Sequence, residues 1–430
     1  MTAGTDALRG LDGQQLDSSF KGIPLGVTVT LDGLGRQGWD PSAGDLALPV
    51  TTLKAAALEH NIEAMAAYAR RHGALLAPHG KTTMAPQLFE RQLRAGAWGI
   101  SAATPSQVAT MRRFGVPRVL LANELVEPTA LRWVASELAD PDFDFLCLVD
   151  LPATVALMDA ALEGHPGDRR LDVLVELGVE GGRTGARSEQ AAVATAEAVV
   201  ASSHLRLVGV EAYEGLAGRT RAGGDLEAVD ALLDRVRALV VDLWGRGWFG
   251  DEPPIVTAGG SIFFDRVVAK LGDWTGTGIP ARLVLRSGCY VSHDAGRYHQ
   301  LSPLDGARAP GEDLELLDAL QAWAVVLSRP EPDLVILGTG KRDVPYDVDL
   351  PLPVQVHRRG GGTAPLSGRA TVTKLMDQHT FMTVDVDLDI DAGDVVSLGL
   401  SHPCGAFEKS PLMPLLDAYG TVVGGVLTFF

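Results

Sequence analysis

The sequence predicts an α/β fold, a (β/α)8 TIM-type barrel followed by a C-terminal antiparallel β domain, and three observations carry that expectation. Between about residues 75 and 290, short apolar runs alternate with amphipathic helical stretches, the pattern of parallel strands joined by crossover helices. Eight such runs can be counted, which suggests a closed barrel rather than an open sheet. Beyond about residue 300 the chain turns rich in valine and threonine with alternation and intervening turn residues, as antiparallel strands are.

Taken in order, the first 20 or so residues are polar and are expected to be partly disordered. Residues from about 24 to 50 are expected to join the β domain as a first strand. Thr51 to His72 reads as a helix, with Leu53, Ala56, Ala57, Ile62 and Met65 roughly on one face. The barrel strands are expected at Leu75 to Ala77, Trp98 to Ala102, Val119 to Ala122, Phe143 to Val149, Leu171 to Leu177, Leu205 to Glu211, Ile255 to Ala258 and Arg282 to Leu285. Helices at Pro86 to Ala95, Pro105 to Phe114, Pro152 to Leu162, Glu189 to Ser202 and Asp225 to Trp244 fall between them, several opening with proline in the first turn. The β domain is expected to use Val354 to His357, Gly368 to Met376, Thr380 to Ile390, Asp394 to Gly399 and Gly420 to Phe430, with Arg359 to Thr363 as a hairpin loop or surface turn. The resulting division is an N-terminal segment over 1–50, a barrel over 51–305 and a β domain over 306–430.

With 430 residues, 46% hydrophobic and 21% charged, the chain can bury a large core spread over two domains. A formal net charge of -17 argues against nucleic acid and against an anionic membrane surface, and favours a small metabolite. No apolar run reaches the roughly 18 residues of a membrane span. The start, MTAGTDALRGLDGQQ, lacks the basic-then-apolar order of a secretion signal, so a cytoplasmic protein is expected. Cys147, Cys289 and Cys404 are three and widely spread, which speaks for thiols rather than a disulfide framework.

The chemistry is expected at the carboxyl ends of the barrel strands, with phosphate held after strands seven and eight. Gly259-Gly260-Ser261 follows the seventh and Ser287-Gly288-Cys289-Tyr290 the eighth. Both are small turns at which backbone N–H groups can approach an anion. Either alone could be an ordinary strand-to-helix turn, but together they occupy the two expected positions. Lys81 lies just past the first strand, after Pro78-His79-Gly80, where its amine would enter the barrel mouth and could form an imine with a carbonyl cofactor. Alone it would read as a surface lysine; opposite a phosphate cradle it does not.

Pro78-His79-Gly80-Lys81-Thr82, Gly181-Gly182-Arg183-Thr184-Gly185, Tyr213-Glu214-Gly215, Gly259-Gly260-Ser261, Gly288-x-Tyr290 with Asp294, Ser401-His402-Pro403-Cys404, Asp417-x-Tyr419 and Thr428-Phe429-Phe430 resemble, in order, the D-serine dehydratase and D-threonine aldolase family. That family comprises fold-type III pyridoxal-phosphate enzymes similar in architecture to alanine racemase. The resemblance covers the chain from about residue 50 to its end. It implies pyridoxal 5'-phosphate bound as a Schiff base to Lys81, which would also move the Cα proton. Gly259, Gly260, Ser261, Gly288, Cys289 and Tyr290 would surround the phosphate, with His79 and Thr82 orienting the ring oxygen or phosphate. Tyr213 would meet the pyridine nitrogen. Arg183 would line the cofactor site or, equally, hold a loop through hydrogen bonds.

By spacing alone, His402 and Cys404 read as a buried histidine near an unreactive cysteine. The resemblance implies instead a catalytic metal at this position, with histidine and cysteine binding zinc in the dehydratases and an aspartate in the second place in the aldolases. Thiolate selects the softer ion. The implied activity is therefore a zinc- and pyridoxal-phosphate-dependent ammonia-lyase on D-serine, D-threonine or D-threo-3-hydroxyaspartate. The alternatives are a D-threonine aldolase-type lyase, a racemase, or a non-catalytic pyridoxal-phosphate carrier. The resemblance also implies a homodimer. Lys341 and Arg342 could reach a substrate carboxylate or form a solvated charged turn.

Overall fold

A computed structural model describes residues 3–165, 167, 169–305 and 312–430. Eight parallel strands form one curled sheet: β4 (Leu75–Leu76), β5 (Ile100–Ala102), β6 (Arg118–Glu124), β7 (Asp144–Val149), β8 (Leu171–Glu176), β9 (Leu205–Glu211), β10 (Ile255–Ala258) and β11 (Arg282–Leu285). Each pairs with its neighbour in chain order, and β11 returns to pair with β4. The remaining seam, between β4 and β5, is closed by the Trp98 N–H donating to the Leu76 carbonyl at 2.7 Å and the Ser101 N–H to the Pro78 carbonyl at 2.8 Å. The sheet is therefore a barrel. Helices α2 (Ala55–Arg71), α3 (Pro86–Arg94), α4 (Pro105–Arg113), α5 (Pro128–Glu137), α6 (Pro152–Leu162), α7 (Glu189–Ala201), α8 (Gly223–Gly245) and α9 (Phe264–Leu271) wrap it. Proline occupies the first turn of α3, α4, α5 and α6, where a missing N–H breaks no intrahelical bond. Inside the barrel, Ala77, Leu120, Leu146, Leu148, Leu174, Ile255 and Val284 pack into an apolar plug that separates the two mouths.

The β domain is built on the twelve-residue strand β12 (Leu320–Glu331). It pairs on one edge with β18 (Val395–Gly399) and, further along, with β13 (Leu334–Leu337). From β18 the sheet continues to β14 (Leu352–His357) and β15 (Thr363–Pro365), and from β13 to β17 (Thr380–Val384) and β16 (Ala370–Leu375). The glycine-rich residues 358–362 do connect an antiparallel hairpin, β14 to β15. The last hairpin, β19 (Leu412–Leu416) to β20 (Val422–Leu427), attaches through β3 (Val50–Lys54).

That strand corrects the reading of Thr51 to His72 as one helix. Thr51, Thr52 and Leu53 are extended, pairing with Ala322, Gln321 and Leu320, and helix α2 starts only at Ala55. The run Val50-Thr51-Thr52 is β-branched, and the Trp323 indole N–H donates to Thr52 Oγ1 at 2.9 Å, so strand pairing wins over a weak helical pattern. The first strand of the β domain thus begins where the expected one, over residues 24 to 50, was to end. The disorder expected of the first 20 residues is also replaced by structure from Ala3 onward. Helix α1 (Ala3–Gly10) is followed by β1 (Gln15–Leu16), paired to β2 (Val29–Thr30). Leu11, Leu16, Ile23, Leu31 and Leu34 are buried in one cluster with Trp323, Leu412 and Val422 of the β domain and Phe114 of the barrel. A mostly polar segment holds these few leucines at spacings that reach a second domain's surface. Among the described residues, no helix is long and apolar enough to cross a membrane.

Candidate active site

A cavity of about 390 Å³ opens at the carboxyl ends of the barrel strands and is closed on one side by the β domain. Lys81 lines it from the turn Gly80–Thr82 that follows β4. Gly80 is needed there, because a Cβ would come within 2.5 Å of Met111 and 2.7 Å of Ile100. The tight turn turns the chain against α4 and β5 and delivers the next residue into the cavity. His79 is half-buried on the same wall; desolvation, then Lys81 and Arg286, push its pKa well down, which favours the neutral ring. Its Nδ1 has no hydrogen-bond partner among the described residues.

The two glycine turns line the same cavity, the second of them beside the Lys81 turn, but not as a simple cradle. The Gly259 and Gly260 N–H groups donate to the Glu214 carboxylate at 3.0 and 2.5 Å, so these expected phosphate donors are already engaged. Glu214 is wholly buried, which raises its pKa against the lowering effect of those two bonds. Gly259 has φ +141° and would place a Cβ 2.7 Å from the Arg286 nitrogen, so only glycine fits. The Ser261 and Gly288 N–H groups have no acceptor among the described residues, and both residues line the cavity. Gly288 packs so closely on His79 that a Cβ would lie 2.5 Å from its carbonyl oxygen. Tyr290 departs from expectation: its ring is buried away from the cavity, with its hydroxyl accepting from Gln92 Nε2 at 3.0 Å. Its side chain serves the packing of α2 and α3 against the barrel.

Tyr213 lies at the cavity wall after β9, its ring seated over Gly215, where a Cβ would meet the ring at 2.6 Å. The Arg183 guanidinium sits 4.7 Å from the Tyr213 ring centroid. The loop-holding job falls to Arg187 instead, which donates to the carbonyls of Gly182, Thr184 and Gly185 at 2.9, 2.7 and 2.8 Å. Arg183 is left to line the cavity. Arg286, just past β11, also lines it, paired with the buried Glu211 and donating to the Ala212 carbonyl at 3.1 Å. Burial raises the Glu211 pKa to about 7 against the pull of Arg286.

The β domain contributes His402 and Cys404, on either side of Pro403 at the start of α11 (Pro403–Phe407). His402 has φ +69°, a left-handed conformation rare for a residue with a Cβ, and strain of that kind gathers at functional sites. Two carboxylates hold it there: the His402 N–H donates to Asp294 Oδ2 at 2.9 Å, and Nδ1 lies 2.7 Å from Asp347 Oδ2. Asp294 also accepts from the N–H groups of Gly296 and Tyr298, at 3.1 and 2.8 Å, so it ties the barrel's last loop to the β domain. Cys404 Sγ lies 3.8 Å from Cys289 Sγ and 3.4 Å from Thr82 Oγ1. The Cys289 thiol, then His402 and Thr82, hold the Cys404 pKa well below the usual thiol range. The Cys404 sulfur and Asp347 raise that of His402 to about 9. Among the described residues, no group of three or more ligating side chains is arranged around a metal position, so a metal here would rest on His402 and Cys404 with its other positions open.

Sequence reasoning missed Glu214, Arg286, Asn123 and Tyr298, all in or behind this cavity. Asn123 and Arg286 could have been found, since each stands at the end of a barrel strand where active-site residues collect. Glu214 stands in the Tyr213-Glu214-Gly215 motif but carried no role there, and nothing local marked Tyr298. Lys341 and Arg342 do not line the cavity of their own chain. Lys341 sits over the Tyr346 ring at 5.4 Å, and the largely exposed Arg342 lies 3.9 Å from Asp377.

Residues 53–245 match the family model of the alanine racemase N-terminal domain, and residues 319–416 match that of a serine dehydratase domain. The 3-hydroxy-D-aspartate aldolase of Paracoccus denitrificans (strain Pd 1222) is 28% identical over 339 residues, 78% of this chain and 81% of that protein. The crystal structure of D-threonine aldolase from Filomicrobium marinum aligns with a TM-score of 0.72 and 23% identity, covering 89% of this chain and 95% of that one. The D-threo-3-hydroxyaspartate dehydratase from Delftia sp. HT23 aligns with a TM-score of 0.70 and 21% identity, covering 90% and 99%. Two further structures of a dehydratase so named carry a histidine-to-alanine and a cysteine-to-alanine change two residues apart, the cysteine variant in a metal-free form.

Proposed function

Since this chain belongs to the fold-type III pyridoxal-phosphate enzymes, the alanine-racemase-like family of the D-serine dehydratases and D-threonine aldolases, we propose that it is a pyridoxal-phosphate- and zinc-dependent dehydratase converting a D-3-hydroxy amino acid to a 2-keto acid and ammonia. The observation that carries this reading is the pairing of His402 with Cys404, rather than with a carboxylate, at the cavity wall. A thiolate and an imidazole select zinc over harder ions. The Asp347 carboxylate on Nδ1 fits a ligating histidine, because it orients the ring and leaves Nε2 for the metal. The histidine and cysteine changed in the dehydratase variants have the same spacing as His402-x-Cys404.

The cavity also fits the organic cofactor. Lys81 would hold its carbonyl carbon, and the Ser261 and Gly288 N–H groups its phosphate, with Cys289 beside them. Gly259 and Gly260 would serve indirectly, by fixing Glu214 behind the turn. Tyr213 and Arg183 would flank the ring, and neutral His79 and Thr82 the lysine side. When bound, pyridoxal phosphate would supply an electron sink for Cα, and zinc a Lewis acid for the β-hydroxyl leaving group. Lys81 takes the Cα proton. His402 and Cys404 would hold the metal from the β domain, beside Cys289 and Thr82. Arg183 and Arg286 give an otherwise acidic protein a local positive field that suits an anionic cofactor and a carboxylate substrate.

A C–C lyase is the second reading, favoured by the aldolase activity of the Paracoccus relative. Incubation of the zinc-loaded enzyme with D-threonine separates the two. Release of 2-oxobutyrate with ammonia supports the dehydratase, and release of glycine with acetaldehyde overturns it. A panel of D- and L-hydroxy amino acids, with and without chelator, then identifies the substrate. We read the protein as a cytoplasmic homodimer; a monomer mass by light scattering would refute the dimer.

A further inference from the structure

We propose that Cys289 and Cys404 are a thiol pair that closes reversibly to a disulfide, making the wall of the cavity an oxidation site. The two residues are 115 apart in sequence and belong to different domains, Cys289 to the turn after the last barrel strand and Cys404 to α11. Their sulfurs are nevertheless in contact at 3.8 Å. A disulfide bond is about 2.0 Å long, so the sulfurs must close by roughly 1.8 Å, a distance within reach of side-chain rotation and a small shift of α11. Cys404 is partly exposed at the cavity wall, where a small oxidant can reach it, whereas Cys289 is buried and needs only to reach Cys404. Cys147, the third cysteine, is buried in β7 and lines neither the cavity nor the pair.

The chemistry balances with a peroxide as oxidant. The Cys404 sulfur attacks one oxygen of hydrogen peroxide, the O–O bond breaks, and the departing hydroxide takes up the thiol's proton as water, leaving a sulfenic acid. The Cys289 sulfur then attacks the Cys404 sulfur, the S–O bond breaks, and hydroxide leaves with the Cys289 proton as a second water. Two thiols and one peroxide become one disulfide and two waters, and an external dithiol reverses the change. Drawing Cys404 toward Cys289 would also remove it from the pair with His402; this consequence alone rests on the zinc reading.

The test treats the purified protein with one equivalent of hydrogen peroxide, with and without zinc, followed by alkylation, thiol counting in denaturant and peptide mass analysis. Expected are a fall from three free thiols to one, a linked Cys289–Cys404 peptide, and full recovery with dithiothreitol. Sulfinic acid on Cys404 beside an alkylatable Cys289 would overturn the proposal. In C289S, two or more equivalents of peroxide should take Cys404 on to sulfinic acid that dithiothreitol does not reverse, whereas in C147S the linked peptide should still form with one. Bound zinc should slow the oxidation about tenfold or more, because a metal-held sulfur is a poorer nucleophile. Equal rates with and without zinc would refute Cys404 as a metal ligand while leaving the disulfide standing.

Discussion

The barrel has two mouths, and they are built on opposite rules. At the amino ends of the strands, a cavity of about 240 Å³ is lined by charged side chains, two arginine–aspartate pairs among them. Arg118 pairs with Asp144 at 2.6 Å and stacks over Trp98 at 4.6 Å, and Arg206 makes a two-pronged contact with Asp172 at 2.6 and 2.8 Å. At the carboxyl ends, no carboxylate lies within ion-pair distance of Lys81 or Arg183 among the described residues, His79 keeps an unpartnered nitrogen, and the N–H groups of Ser261, Gly288 and Cys289 lack acceptors. The same strands feed both ends, with an apolar plug between them. Polar groups that find partners within the chain stabilise it, and those left without them are available to a ligand.

The sharpest way to break the comparison is Lys81→Ala. Activity should fall by about three orders of magnitude or more, and the imine absorbance near the visible edge should vanish; retention of that band would refute the role of Lys81. Asp347→Asn comes next. The metal should bind about 10- to 100-fold more weakly, as seen in chelator competition, while the imine band stays in place. Unchanged metal affinity would mean that Asp347 does not support a metal-binding imidazole at His402.

Smaller effects concern stability. His293 is buried just behind the carboxyl mouth, and burial, then His299, lowers its pKa to about 4. The unfolded chain, titrating near the ordinary 6.5, binds the proton first. Stability tied to neutral His293 is therefore present above about pH 6.5 and is lost as pH falls toward 4, at about 1.4 kcal/mol per pH unit and roughly 3 kcal/mol in all. Urea melts across that range should show a shallower acid slope in His293→Asn. The smallest effect is expected at the other mouth, where Arg206→Ala removes a half-exposed pair. It should cost no more than about 1 kcal/mol and leave kcat as it is. A large loss of turnover there would dissolve the distinction between the mouths.

Much of this was legible in the chain. The strands at 205–211, 255–258 and 282–285 and the helix at 152–162 lie where apolar runs and proline caps put them, because those signals are local. Lys81, Ser261 and Gly288 could be singled out because glycine turns at strand ends are short-range patterns, whereas His402 and Cys404 stood out only through the family resemblance and not by their spacing. The misreadings share one cause. Thr51 to Leu53 became a strand because its partner lies some 270 residues away, and no window along the chain contains both.

The sequence by itself therefore determined the barrel, the β domain and the wall from which each reactive side chain comes. Tertiary structure alone decided which of those groups are spent inside the protein and which remain for chemistry. Glu214 takes the N–H groups of Gly259 and Gly260, Arg187 relieves Arg183 of its loop, and Tyr290 turns into the core. Cys289 and Cys404 meet across a domain boundary. Hydrogen bonds and sulfur contacts reach only a few ångströms, so what each group touches depends on how distant segments pack rather than on its neighbours in the chain.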